Sequence, residues 1–406
     1  MNKSRKLSSG KLLIMGIVVL LVAASFLAGN YTGQQGISIG FRATPIEVAN
    51  STSGKPASVD FTTFWEAWGK LNQNYVTELE PQKMVYGAIT GLLASTGDPY
   101  TEFFTPTDNK KFKDDISGQF DGIGVEISSV NSLPTVVAPL SGTPAEKAGI
   151  KARDIIIEVD GTKTSDIGFE ETINRIRGPK GSTVKLKISR TGEELPLEIS
   201  VVRENIKVDS VTYEKKQQGS KEIFYIRVRQ FGDDTEDLFA KAVLEAKNSN
   251  ADGLILDLRN NPGGYLDTAV SMSSVFLDGG VVVSEIDRDG KKKDFTTSQK
   301  ATLKDIKMMV LINGGSASAS EIVSGALKDR ARATIIGEKS FGKGSVQVME
   351  NLSDGSAVKI TIAKWLTPKG THIDKVGISP DIEVKDDNTN SNDQVLSRAL
   401  EEIVKN

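Results

Sequence analysis

The 406-residue sequence contains no cysteine, and His372 is its only histidine. The first absence excludes thiol nucleophiles, disulfide staples and cysteine-ligated zinc. The second restricts histidine chemistry: a Ser-His-Asp triad would have to use His372, which lies in the Pro/Gly-punctuated segment WLTPKGTHIDKVG. An excess of one charge is also missing. Fifty Lys and Arg against 53 Asp and Glu leave a net charge of -3, with no basic footprint for nucleic acid. No motif calls for a cofactor or a metal. If the chain performs nucleophilic chemistry, lysine is the natural base.

The N-terminus differs from the rest. Residues 1–11 carry Lys3, Arg5, Lys6 and Lys11 without an acid, and residues 12–29 form an uncharged apolar run. At about 1.5 Å per residue this run reaches roughly 27 Å, near the thickness of a bilayer core. The flanking charge orients the N-terminus to the cytoplasm and the body to the extracytoplasmic side. Val22-Ala23-Ala24 offers a signal-peptide cleavage site, which would release a secreted body. Continuation of the run through Phe26 and Leu27 favours a retained membrane anchor. Residues 30–59, rich in Gly, Ser, Thr and Asn, read as a linker.

Residues 60–111 read as a short helical region. Asp60 is placed as a cap, and Phe61, Phe64, Trp65, Trp68 and Leu71 share one helical face. Core packing or a subunit contact, hence a possible homo-oligomer, accounts for this stripe better than a ligand platform. Residues 112–205 change to short strands. Thr143-Pro144-Ala145-Glu146 predicts a capped helix of about two turns, stopped at Gly149, and Phe169–Ile176 a second helix. The runs GQFDGIGVEISSV, TPAEKAGIKARDIIIEVDG and RGPKGSTVKLKISR resemble a PDZ domain. In that resemblance Gly122, Ile123, Gly124 and Val125 form a nest of backbone N–H groups for a terminal carboxylate, beside a strand edge that accepts a peptide. The plainer alternative is that the glycines only permit a tight turn.

Residues 206–385 alternate short apolar runs (GLILDLR, MMVLIN, ATIIG) with helical patterns, as in an α/β domain with strands buried on both faces. Residues 386–406 read as a polar linker and an amphipathic terminal helix. Within the α/β region Ser318 sits where a strand passes through a Gly/Ser turn into a helix. The free N–H groups of a helix N-terminus suit developing negative charge, which makes the Ala319 N–H an oxyanion-hole candidate. Ser318-Ala319-Ser320-Glu321 equally fits a capping box, in which the hydroxyl only caps the helix. Lys343 lies in GEKSFGKG, one residue short of a phosphate-binding loop. Gly344 replaces the magnesium-binding Ser/Thr, and the following residues alternate like a strand, so nucleotide binding is rejected. The SxxK string Ser182–Lys185 is a decoy on a PDZ-like strand.

The run SASASEIVSGALKDRARATIIGEKSFGKGSVQ, with GLLASTGDPYTEFF, YIRVRQF, LILDLRNNPGG and ITIAKWLTPKG, resembles the carboxyl-terminal processing peptidases, also called tail-specific proteases. The resemblance covers most of the chain after residue 60. It implies a serine endopeptidase with a Ser-Lys dyad: Ser318 as nucleophile, Lys343 as base, Gln347 orienting the lysine, and Gly264 as second oxyanion donor beside Ala319. Substrates would be proteins or peptides with free C-termini, captured by the PDZ domain. The expected architecture is thus an α/β multidomain chain with an N-terminal transmembrane segment, a short helical region and a PDZ-like β-rich domain ahead of the α/β protease core. The rival reading is a membrane-tethered PDZ adaptor that binds C-terminal peptides without catalysis.

Overall fold

A computed structural model describes residues 58–130, 133–298, 300–385 and 393–405. The expected membrane segment at 12–29 lies outside them, as do residues 1–11, most of the 30–59 linker and residues 386–392. Among the described residues no helix is long and apolar enough to cross a membrane. The chain forms two bodies, one ending at Leu79 and one starting at Glu80.

The described part of the first body is essentially the helix Thr62–Asn74, where Asp60 accepts the Thr62 N–H at 2.8 Å. Of the two readings of its aromatic stripe, core packing is not what the described residues show. The helix buries no residue, and Phe61, Phe64, Trp65 and Trp68 pack on one another, with the Phe64 and Trp65 centroids 4.8 Å apart.

The second body is organised around a six-stranded sheet in the order 211–218, 221–228, 253–257, 308–312, 334–337, 382–383. Only the first pairing is antiparallel. Every residue of Gly253–Asp257 and Met308–Ile312 is buried, as expected of parallel strands covered on both faces. Alternate residues serve opposite faces. Leu254, Leu256, Val310 and Ile312 pack toward Thr235–Ser249, Leu266–Ser274 and Ala319–Asp329, whereas Tyr225, Ile255, Met309 and Leu311 meet Val395, Ala399 and Ile403 of the terminal helix Gln394–Ile403. That helix therefore docks on its own body, and Asp393 fastens it through Arg259, 2.7 Å away. An antiparallel second sheet joins 102–104, 357–366, 281–287 and 292–296, with 345–351 also pairing along 357–366.

The PDZ body has its own core of Ile123, Val136, Ile156, Leu186 and Ile188. Its sheet runs in the order 125–130, 133–139, 155–159, 183–189, 197–202, which leaves Val125–Val130 as an outer strand. Gln119–Gly122 pairs with Glu204–Lys207 where the chain enters and leaves this body. The expected boundary at 112 falls inside a helix, Pro106–Ile116. The helix expected after Thr143 is a single turn, Pro144–Lys147, and Thr143 does not cap it. Its hydroxyl lies instead within hydrogen-bond distance of the carbonyls of Gly124, 2.9 Å, and Leu140, 2.6 Å, because that turn is folded onto the glycine loop. The second helix, expected over Phe169–Ile176, is the part of Thr164–Ile176 that follows a break at Gly168, whose φ of 75° no helix accommodates.

Candidate active site

Three serines, Ser316, Ser318 and Ser320, lie where strand Met308–Ile312 passes into helix Ala319–Asp329, the last of them in the helix's first turn. Spacing alone does not separate them, but their surroundings do. Ser316 is fully buried, donates to the Leu258 carbonyl at 2.8 Å and accepts the Asn313 N–H. Ser320 is equally buried and donates to the Asn261 carbonyl at 2.9 Å. Ser318 alone of the three lines a cavity of about 520 Å³. Its backbone has φ 54° and ψ −115°, a conformation that L-residues adopt only when their surroundings impose it, at roughly 1–3 kcal/mol.

What imposes it is Glu321, a residue the sequence reading had treated only as half of a capping box. Its carboxylate is completely buried and accepts four hydrogen bonds. Oε2 takes the N–H groups of Ser318 and Lys343, each at 2.9 Å; Oε1 takes the Ser340 hydroxyl at 2.6 Å and the Gly342 N–H at 2.7 Å. One carboxylate thus joins the serine turn to the lysine loop. The sequence signal was the i+3 glutamate itself, but nothing in it pointed to the loop about twenty residues onward.

A second hub holds the Asn260–Gly264 loop against the same turn. Buried Asn261 donates through Nδ2 to the Val228 carbonyl and accepts the Gly263 N–H at Oδ1, at 2.8 and 2.9 Å, while its own carbonyl accepts the Ala317 N–H. The approach is so close that a Cβ on Gly263 would lie 2.7 Å from Ser318 Cβ and 3.0 Å from the Ala319 nitrogen. Gly264 lines the cavity too, while Ala319 is the residue after Ser318. Among the described residues neither N–H donates a hydrogen bond. Two free donors therefore flank the serine, as an oxyanion site needs.

Lys343 lines this cavity and is partly buried. Burial pushes its amine below the ordinary lysine pKa, and the neighbouring Lys359 ammonium acts in the same direction, against the opposing pull of Glu102, Glu321 and Asp98. Its carbonyl accepts the Trp365 indole N–H at 2.9 Å, which anchors the backbone. Nζ lies 5.2 Å from the Tyr100 ring centroid, and no hydrogen bond links it to Ser318. Gln347 lines the cavity as well, but its amide donates to Ser345 and Thr361, at 2.8 and 3.1 Å, rather than meeting Lys343. The segment bearing Tyr100 and Glu102 forms the wall behind the lysine, a role no spacing rule disclosed. His372 is not among the residues lining the cavity.

The PDZ residues surround a separate cavity of about 310 Å³. Gly122, Ile123, Gly124 and Val125 line it with Phe120 and Phe169. The Ile123 and Gly124 N–H groups donate no hydrogen bond among the described residues, and Gly124 has φ 74°. The decoy serine, Ser182, donates to the Pro179 carbonyl at 2.5 Å. No group of acidic or histidine side chains suited to a metal occurs among the described residues.

The fold is a PDZ-like domain followed by an α/β core whose cavity is lined by a serine and a partly buried lysine. Residues 122–201 match the PDZ domain, and residues 222–384 match peptidase family S41. The chain is 41% identical over 330 residues to a carboxy-terminal-processing protease of Bartonella bacilliformis, covering 79% of this chain and 74% of that one. It is 39% identical over 316 residues, 77% of this chain, to a probable CtpA-like serine protease of Staphylococcus epidermidis, of whose length it spans 63%. In structure it is similar to the photosystem II D1 C-terminal processing protease, with TM-score 0.54 and 28% identity over 83% of this chain and 96% of that one. The chain belongs to peptidase family S41.

Proposed function

We propose that the protein is an extracytoplasmic serine endopeptidase, tethered through its N-terminal segment, that recognises protein C-termini by its PDZ domain and cleaves peptide bonds with Ser318 and Lys343. The observation that carries this reading is one cavity lined by Ser318, whose hydroxyl donates no hydrogen bond among the described residues, by partly buried Lys343 and by Gly264, with a second free N–H donor at the adjoining Ala319. Neutral Lys343 leaves the Tyr100 ring and takes the Ser318 proton as Oγ attacks the peptide carbonyl carbon. The N–H groups of Ala319 and Gly264 stabilise the oxyanion. Collapse breaks the C–N bond, the departing amine receives the proton from the Lys343 ammonium, and water then releases the acyl group by the same steps in reverse roles. Gln347 steadies the lysine in its working position. The PDZ nest of residues 122–125 holds the substrate carboxylate while the outer strand Val125–Val130 pairs with the chain end.

Cleavage of an unstructured polypeptide with an apolar C-terminus by the full-length chain tests the reading. Ser318→Ala and Lys343→Ala should each reduce kcat by at least about a thousandfold. Full activity in both variants rejects the dyad. A wild type that binds C-terminal peptides without cutting supports the adaptor instead.

A further inference from the structure

Of the residues lining the Ser318 cavity, Lys359 is the only cation besides Lys343. It stands on strand Ala357–Leu366 directly opposite Glu102 in the antiparallel ladder, with Nζ 2.8 Å from Glu102 Oε1 and 5.2 Å from the Phe104 ring centroid. The pair is asymmetric about the surface: the Lys359 side chain is 17% exposed and Glu102 is 47% exposed. Water screens the outer carboxylate more than the inner ammonium, so the pair presents its positive end to the cavity. Glu321 and Asp98 act on Lys343 in the opposite direction, and the charged groups nearby are each engaged by other partners. Asp98 accepts from the Tyr100 N–H and Thr101 Oγ1, Glu321 is filled by its four donors, and Asp115 pairs with Arg177. Tyr100 supplies the ring beneath Nζ, and Asp374 lies near Tyr100, whose hydroxyl pKa it helps to raise after burial.

We propose that Lys359, held by Glu102, is a positioning residue whose charge keeps the Lys343 amine unprotonated and so available to take the Ser318 proton. The proposal rests on the dyad reading above. A cation placed beside a lysine makes protonation of that lysine repulsive, and the low-dielectric wall preserves the effect. Glu102 fixes the ammonium in the wall and offsets part of its field from the solvent side.

The test is the pH dependence of kcat/KM for the full-length chain on an unstructured polypeptide with an apolar C-terminus. The wild type should lose activity as pH falls through the Lys343 pKa. Lys359→Met should move that acidic limb to higher pH by about one unit, near tenfold slower on the limb with little change on the alkaline plateau. Lys359→Arg should leave the limb in place, and Glu102→Gln should move it to lower pH. A rate loss in Lys359→Met with an unmoved limb marks a structural role, and a raised KM with an unmoved limb marks a substrate contact; either overturns the proposal. If Lys359→Met does not fold, Glu102→Gln decides alone, and a limb that stays or rises overturns it. A wild type without an acidic limb, or full activity in Lys343→Ala, overturns the dyad and this proposal together.

Discussion

Two glycine turns in this chain do comparable work with different degrees of restraint. The turn 122–125 of the PDZ-like domain and the turn 260–264 of the α/β core each leave backbone N–H groups without partners among the described residues. The first is held by backbone and a single hydroxyl: the Ala145 and Leu140 N–H groups donate to the Ile123 and Gly124 carbonyls at 2.8 and 3.0 Å, and the Thr143 hydroxyl lies 2.9 Å from the Gly124 carbonyl. The second is packed against the serine turn by the fully buried Asn261, and that turn is in turn locked to the lysine loop by the fully buried Glu321. Recognition of many chain ends tolerates a loop that adapts, whereas an oxyanion site must be preorganised before charge develops.

The largest break in that comparison is Glu321→Ala. Four buried donors lose their acceptor, so stability should fall by about 3–5 kcal/mol in urea or thermal unfolding, with cleavage abolished. Glu321→Gln should recover only part of this, because an amide nitrogen cannot accept from two of those donors. Next in size is Gly124→Ala. At φ 74° the added Cβ would lie 2.5 Å from Thr143 Cβ, so affinity for a C-terminal peptide should weaken about tenfold or more while unfolding of the α/β core is unchanged. Thr143→Val, which removes a single hydroxyl, should cost about 1 kcal/mol in the PDZ body and loosen peptide binding slightly. Lys343→Met sharpens the contrast from the other side. Burial lowers the lysine pKa in the folded chain, so the wild type is penalised wherever the unfolded lysine is protonated, below about pH 10.4. The variant should therefore be the more stable protein near neutral pH, with a margin that shrinks as pH rises through that value. Denaturation at two pH values measures it.

How much of this could be read from the chain differed between local and distant features. Runs such as GLILDLR and MMVLIN become the buried strands 253–257 and 308–312 because a strand covered on both faces has no polar alternation to obscure it. The serine turn was legible as strand, turn and helix, but local pattern could not separate Ser318 from its neighbours. That distinction arises from the hydrogen bonds of Ser316 and Ser320 to residues about sixty positions earlier. The same holds for Glu321, whose capping-box spacing concealed its second role, and for Lys359, which meets Glu102 only after the sheet is assembled. The Thr143 cap was misjudged because the hydroxyl had a nearby carbonyl from another segment to meet. The aromatic stripe at Phe61–Trp68 leaves core packing and a subunit contact undivided in the sequence because helical periodicity reveals a face without revealing what covers it.

The most direct measurement of the central claim is covalent labelling of the full-length chain with a serine-reactive fluorophosphonate, followed by mass spectrometric location of the adduct. A dyad of Ser318 and Lys343 predicts modification at Ser318 alone in the serine turn and little or none in Lys343→Ala. Modification at Ser316 or Ser320, or equal labelling of Ser318 with and without Lys343, would contradict it.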